Sequence, residues 1–222
     1  MNLSEVKAYY KTHRANYSES FRLRIHRAVS WMTKAEERAE AGDEDFCFQA
    51  LWIAFNAAYA KEIDGRAITG DRSEFRSFLQ TVCQLDKDRH IYTLVWQRFS
   101  GPIRLLLDNR YVFQPFWDSY NGNGWTSKSA WLEEFERAKK KAYAALATQD
   151  TDMVLLVLFD RLYTLRNQII HGGATYGSEA NREQLSHACK ILTALLPEIV
   201  QIMQLHADRD WGRPFYPMIK ND

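Results

Sequence analysis

The sequence predicts an all-α fold, a helical bundle with an aromatic-rich irregular insertion. Apolar residues recur at spacings of three and four, and no segment shows the strict alternation of a half-buried strand. The first hundred residues contain no proline, which permits long helices. A chain of 222 residues, 46 % of them hydrophobic, can bury a large core without disulfides. We therefore predict one domain over residues 1–222, with its core in 18–62 and 126–207.

The periodicity predicts the helices in order. Apolar residues at Phe21, Ile25, Ala28 and Met32 lie on one stripe of the first helix, which Gly42 ends. The centre of the second helix is apolar nearly all round and is therefore expected to be largely buried. The predicted helices are Ser18–Ala41, Asp43 to about Ile63, one starting with a capping box at Asp71, Asp88–Phe99, Thr126–Thr148, Asp150 or Thr151 to His171, and Asn181 to about Ala207.

The insertion covers residues 100–125. Pro102 and Pro115, with two glycines, interrupt the helical pattern, so we predict short helical turns and a loop. Its aromatic residues favour a role as cover for the core, with a substrate-facing surface as the alternative. Residues 208–222 form a tail without periodicity.

Composition excludes several classes of function. The net charge is only +1, so any RNA contact must come from a local basic patch. Cys47, Cys83 and Cys189 lie far apart in apolar stretches, which predicts buried thiols and neither a disulfide framework nor a zinc site. Histidines show no metal-ligand spacing, and no phosphate-binding loop is present, so we expect no metal and no cofactor. No apolar run of membrane-spanning length and no signal-peptide pattern occur, which predicts a cytoplasmic protein without membrane contact.

One short motif stands out near the C-terminal end. Residues Arg166 and Asn167 are followed after three residues by His171, and then by Gly172 and Gly173. By chance, this arrangement is expected about 0.02 times in a chain of this composition. Asn167 and His171 are four residues apart on a helix and can touch. The core side of that helix is marked by Leu155, Leu158, Phe159, Leu162, Leu165 and Ile169.

This motif resembles that of the HEPN superfamily: Arg, a polar residue, three to five further residues, and His. The helix Ala50–Tyr59 is also similar to that of Apea-like HEPN proteins. The resemblance covers roughly residues 18–62 and 150–207 and implies a helical bundle that forms a homodimer. Many HEPN proteins are metal-independent endoribonucleases in toxin–antitoxin and defence systems, some with an antitoxin-like partner. Others are non-catalytic binding modules.

The motif residues suit RNA cleavage without a metal. A histidine can move protons near neutral pH, and an arginine can stabilise charge on phosphoryl oxygens. Asn167 would hold the imidazole or a phosphate oxygen. One protomer supplies one motif histidine, whereas the reaction needs a base and an acid, so a two-fold dimer is expected to bring two motifs together.

Alternatives remain for each candidate residue. Arg166 and His171 could simply cap the helix C-terminus, where cations are stabilising. Asn56, alone in an apolar helix, could hydrogen-bond to the motif or satisfy a core backbone group. Arg161 and Arg182 could extend a phosphate-binding patch. The two functions predicted are an endoribonuclease, and a non-catalytic module that binds RNA, a nucleotide or a protein.

Overall fold

The computed structural model is all-helical over the residues that it describes. Those residues are 1–61, 71–122, 130–179, 181–214 and 216, with the backbone alone described at 71–73. This confirms the predicted all-α class. The described α-helices are α1 (Leu3–His13), α2 (Glu19–Glu40), α3 (Glu44–Tyr59), α4 (Asp71–Leu85), α5 (His90–Thr93), α6 (Ser100–Asp108), α7 (Gln114–Tyr120), α8 (Ala130–Ala147), α9 (Thr151–Ile170) and α10 (Arg182–Leu205).

Side-chain caps start several of these helices. Ser18, Asp43 and Asp150 each accept a hydrogen bond from the backbone N–H three residues later, which confirms the predicted starts of α2, α3 and α9. The sequence prediction missed α1. Its start is a capping box in which Asn2 and Glu5 bond reciprocally. Two of the three buried residues of α1 are a valine and a tyrosine within a polar, mixed-charge segment, so its apolar stripe was weak.

The insertion is more regular than predicted. Residues 100–120 form α6, a 3-10 turn over Arg110–Val112, and α7, while residues 123–129 lie outside the described part. Pro102 lies in the first turn of α6 and Pro115 in the first turn of α7. Proline is tolerated there because the N–H groups of a first turn have no partner within the helix. The prolines therefore mark helix starts. Similarly, the predicted helix Asp88–Phe99 becomes α5 followed by a π-helical turn, Leu94–Arg98.

The chain divides into two compact units. The first unit comprises Met1–Ile91 and Leu192–Asp222, and the second unit is Tyr92–Ile191. The motif, α8, α9 and the insertion all belong to the second unit. The single-domain organisation remains a prediction.

The first unit has α2 and α3 packed closely together. Phe48 and Phe55 of α3 are fully buried, as expected for a helix that is apolar nearly all round, although Phe46 stays 50 % exposed. The fully buried Arg24 of α2 donates from Nη1 to the carbonyl oxygens of Ala58 and Ala60, each at 2.8 Å. Those carbonyls end α3, so Arg24 caps α3 from a neighbouring helix.

The second unit is built around α9. Its predicted core stripe is confirmed at Leu155, Leu158, Phe159, Leu162 and Leu165, which are all buried. The helix packs against α6, α8 and the 3-10 turn. Its core face is thereby enclosed, and the polar residues at its C-terminal end are left for other contacts.

Two sequence predictions concern burial. Cys47 and Cys189 are buried as expected, whereas Cys83 is half-buried. Among the described helices, α10 is long and apolar enough to cross a membrane, yet 78 % of its apolar window is buried inside the protein. Such burial is typical of a core helix.

Candidate functional site

The motif lies where α9 ends. His171 is the C-terminal cap residue, and its backbone N–H donates to the carbonyl of Asn167 at 3.0 Å. Gly172 then turns the chain with a φ of +70°, in the left-handed region that favours glycine. At Gly173, a Cβ would lie 2.9 Å from the carbonyl oxygen of Gln168. The two glycines thus allow the tight turn that follows His171.

The three motif residues are joined through Asn167. Arg166 donates from Nη1 to Oδ1 of Asn167 at 2.9 Å, and both side chains are half-buried. His171 is exposed, and within the described part of the chain its imidazole makes no hydrogen bond or ion pair. The guanidinium is therefore oriented, and the imidazole is available to a ligand.

The alternative of simple helix capping finds no direct support. In the described residues, neither Arg166 nor His171 donates from its side chain to a carbonyl at the end of α9. The capping alternative is then supported by the general attraction of a cation to a helix C-terminus, and not by a specific hydrogen bond.

Asn167 and His171 line an open groove within the second unit. We call it the amide groove, because it is lined by Asn109, Gln114, Asn167, Gln168 and further carboxamides beside His171. Its cavity volume is about 700 Å³, within the usual size of a small-molecule site. Its lining, over residues 109–122 and 164–184 as far as the structure describes them, includes no Lys, Arg, Asp or Glu.

The insertion supplies one wall of the amide groove. Tyr111 and Trp117 line it, whereas the neighbouring Phe113 is buried. The carbonyl of Tyr111 accepts from Nε1 of Trp117 at 2.7 Å and from Nε2 of Gln168 at 2.6 Å. The bond from Gln168 ties the insertion to α9. The insertion therefore covers the core and also lines the groove, and its role as a substrate-facing surface stays a prediction.

Arg161 is not on a surface patch. It is 3 % exposed, and its guanidinium lies 4.4 Å from the ring centroid of Phe113 and 5.5 Å from that of Phe135. Burial lowers the pKa of Arg161 to about 10, although the carboxylates of Asp160 and Asp108 oppose this shift. Its position between two rings corrects the expectation that it extends a phosphate-binding surface.

The structure places Arg182 beside the loop before α10 and Asn56 in the first unit. Arg182 donates from Nε and Nη2 to the carbonyl of Ser178, at 3.1 and 2.9 Å, and so braces the loop before α10. Asn56 is on α3 in the first unit, and its buried Oδ1 has no hydrogen-bond partner in the described residues. The structure shows neither of the two contacts considered for Asn56.

Sequence reasoning missed most of the amide groove. Asn109, Gln114 and Trp117 lie in the insertion, and Asn181 precedes α10, so folding brings distant segments together. The sequence feature that could have indicated the groove was the density of polar and aromatic residues in the insertion. Within the described ranges, no three His, Cys, Asp or Glu side chains cluster so as to hold a metal.

No family model, curated protein or solved structure matches this chain. The HEPN resemblance therefore rests on the motif and the α3 sequence and remains a prediction.

Proposed function

We propose that the protein is a metal-independent endoribonuclease of HEPN type in which Arg166 and His171 are the reacting groups. The observation that carries the proposal is the arrangement around Asn167. This residue holds the guanidinium of Arg166 and lines the same groove as the unengaged imidazole of His171. A toxin or defence effector is the biological role that the resemblance suggests.

The proposed reaction uses the RNA's own 2′-hydroxyl as the nucleophile. Its oxygen forms a bond to the adjacent phosphorus, and the bond from phosphorus to the 5′-oxygen breaks. A base removes the 2′-hydroxyl proton, and an acid gives a proton to the leaving oxygen. The products are a 2′,3′-cyclic phosphate and a 5′-hydroxyl end.

Each motif residue has a role in this scheme. Arg166 would stabilise the negative charge that develops on the phosphoryl oxygens, because a guanidinium is always charged and binds two oxygens at once. His171 would transfer protons, and Asn167 would donate from its Nδ2 to a phosphate oxygen. A second His171 from another copy would supply the complementary acid or base.

A non-catalytic binding module is the second candidate function. The observation favouring it is the chemistry of the amide groove, whose described lining residues include no arginine and no lysine. Such a groove can bind RNA, a nucleotide or an antitoxin-like protein without cutting anything.

Cleavage of RNA in the presence of EDTA tests the proposal. We expect the wild-type protein to cut RNA and to leave cyclic phosphate ends, while His171→Ala and Arg166→Ala lower the rate by about 10²–10⁴-fold. The matched controls are His187→Ala and Arg104→Ala, which change the same residue types in the second unit outside the groove lining. Circular dichroism would verify that each variant is folded. A wild-type protein inert on varied RNAs, or a His171→Ala variant of full activity, would contradict the proposal.

A further inference from the structure

We infer that the amide groove binds one unpaired nucleobase of an RNA strand. This inference rests on the proposed function for the identity of the strand, but it concerns recognition and not cleavage. Seven of the twelve residues that line the groove carry carboxamide side chains. Those carboxamides offer hydrogen-bond donors and acceptors, and their aromatic neighbours offer faces for stacking.

Away from His171 and Asn167, the charge of the lining argues against a phosphate as the occupant. A phosphate accepts hydrogen bonds only, and proteins usually meet it with arginine, lysine or backbone N–H groups. Among the residues that the structure describes, the groove lining holds no arginine, no lysine and no carboxylate. A neutral, polar and flat group is the better match.

Two lining carboxamides are oriented to donate. Oδ1 of Asn109 accepts from the backbone N–H of Tyr111 at 2.8 Å, and Oδ1 of Asn167 accepts from Arg166 at 2.9 Å. These bonds fix which end of each amide is used inside the protein. Nδ2 of Asn109 is left as a donor for a base, and Nδ2 of Asn167 as a donor for the phosphate beside His171.

Two other lining carboxamides are oriented to accept. Nε2 of Gln114 donates to Oδ1 of Asp118 at 2.9 Å, and Nδ2 of Asn181 donates to Oε1 of Gln168 at 2.9 Å. The oxygens of Gln114 and Asn181 remain as acceptors. The groove therefore offers both donors and acceptors, as the edge of a nucleobase requires and a phosphate does not.

Aromatic side chains supply the faces on which a base can stack. Tyr111 is 42 % exposed, and Trp117 is half-buried with its indole N–H engaged by the Tyr111 carbonyl. A ring held in this way loses little freedom when a base stacks on it. Bases inside a duplex are not accessible for such stacking, so the occupant must be unpaired.

Binding of strands that cannot be cut tests the inference separately from catalysis. Short fluorescent homopolymers of A, C and U, with 2′-O-methyl groups throughout, would be titrated into the full chain and followed by anisotropy. We expect one base to bind preferentially and the same strand in a duplex to bind more weakly. Trp117→Ala should weaken binding about 10-fold, as expected for the loss of one stacked base.

Matched variants separate stacking, hydrogen bonding and folding. Trp117→Phe retains a ring and should recover much of the affinity, whereas Gln114→Ala, which removes one of the oriented acceptors, should reduce the preference among bases. Tyr143→Ala removes an aromatic ring that is 39 % exposed on α8 and outside the groove lining, and should leave binding unchanged. Equal affinity for all strands and the duplex, or unchanged binding by Trp117→Ala, would overturn the inference.

The outcomes also distinguish the two proposals. Base-selective binding without cleavage in EDTA would retain the nucleobase groove and reject the nuclease. Cleavage that depends on His171, combined with binding that ignores Trp117, would retain the nuclease and reject the groove as a base site.

Discussion

At the scale of single residues, the two buried arginines show that burial alone does not define a role. Arg24 donates to four backbone carbonyls at 2.8 to 3.4 Å, those of Ala57, Ala58, Ala60 and Gly212, although its Nε has no partner in the described residues. Arg161 lies between aromatic rings, and its Nε and Nη2 have no hydrogen-bond partner in the described residues. The guanidinium of Arg24 therefore supplies donors to carbonyl oxygens that would otherwise be buried without one. The guanidinium of Arg161 lies mainly against aromatic rings.

These contacts predict different effects of the same substitution. Arg24→Met should lower the free energy of unfolding by about 2–4 kcal/mol, because buried carbonyls lose their donors. Arg161→Met should change it by less than about 1 kcal/mol, because methionine keeps the aromatic contacts and removes a poorly solvated charge. Urea unfolding of both variants measures the difference. Equal losses would show that Arg161 has a polar partner of comparable strength.

Tyr17 predicts a dependence of stability on pH. Its hydroxyl donates to Oε1 of Gln204 at 3.3 Å, and burial, aided by Tyr9 and Tyr10, raises the pKa of Tyr17 from 10.0 to about 12. Folding therefore favours the neutral phenol. This stabilisation is complete below pH 10 and is lost as the pH rises from 10 to about 12.

The matched substitution is Tyr17→Phe, which cannot ionise. We expect the melting temperature of the wild type to fall more than that of the variant between pH 10 and 12, in a range set by the two pKa values. Tyr120→Phe, at a ring that is 76 % exposed, serves as the control. Parallel melting curves for wild type and Tyr17→Phe across this range would refute the prediction.

At the scale of helices, the parts that could be predicted were those specified by nearby residues. The starts of α2, α3 and α9 follow from caps three residues away, and the end of α9 follows from Gly172. The motif was located correctly for the same reason, since its helix has a clear apolar stripe. Local patterns were weaker where polar aromatic residues or prolines dominate, as in α1 and α6–α7.

The groove could not be predicted because it depends on contacts between distant segments. The bond from Gln168 to the carbonyl of Tyr111 joins residues 57 positions apart, and Asn181 meets Gln168 across the loop after α9. Contacts between distant segments also explain why the prediction for Arg161 was wrong. Its position in the sequence, one turn before the motif, suggested a surface patch, but Phe113 and Phe135 enclose it.

At the scale of the whole molecule, the proposed chemistry predicts a homodimer. A symmetric interface uses the same patch twice, so each His171 would face its own copy. Two Arg166 side chains brought close would repel, and an anion between them would relieve that repulsion. We therefore expect a dimer in light scattering that gains thermal stability when phosphate is added.

A salt control separates site binding from general ionic strength. Sodium chloride at equal ionic strength should not reproduce the gain, and Arg166→Ala should lose it. A monomer at micromolar concentration, or a dimer with its His171 residues at opposite poles, would rule out a composite site and leave the binding module as the stronger function.

The first unit is formed by two separate parts of the chain, and this affects the order in which the protein folds during translation. Tyr17 and Val6 bond to Gln204, and His90 Nδ1 lies 3.7 Å from Oε2 of Glu198, so the start of this unit is completed by residues translated far later. The second unit, by contrast, is one continuous stretch of chain. We expect it to finish folding while the N-terminal helices still lack the part of α10 from Leu192 onward, which leaves the ribosome later. During that interval the apolar faces of α2 and α3 can be covered only by each other and by the other N-terminal helices.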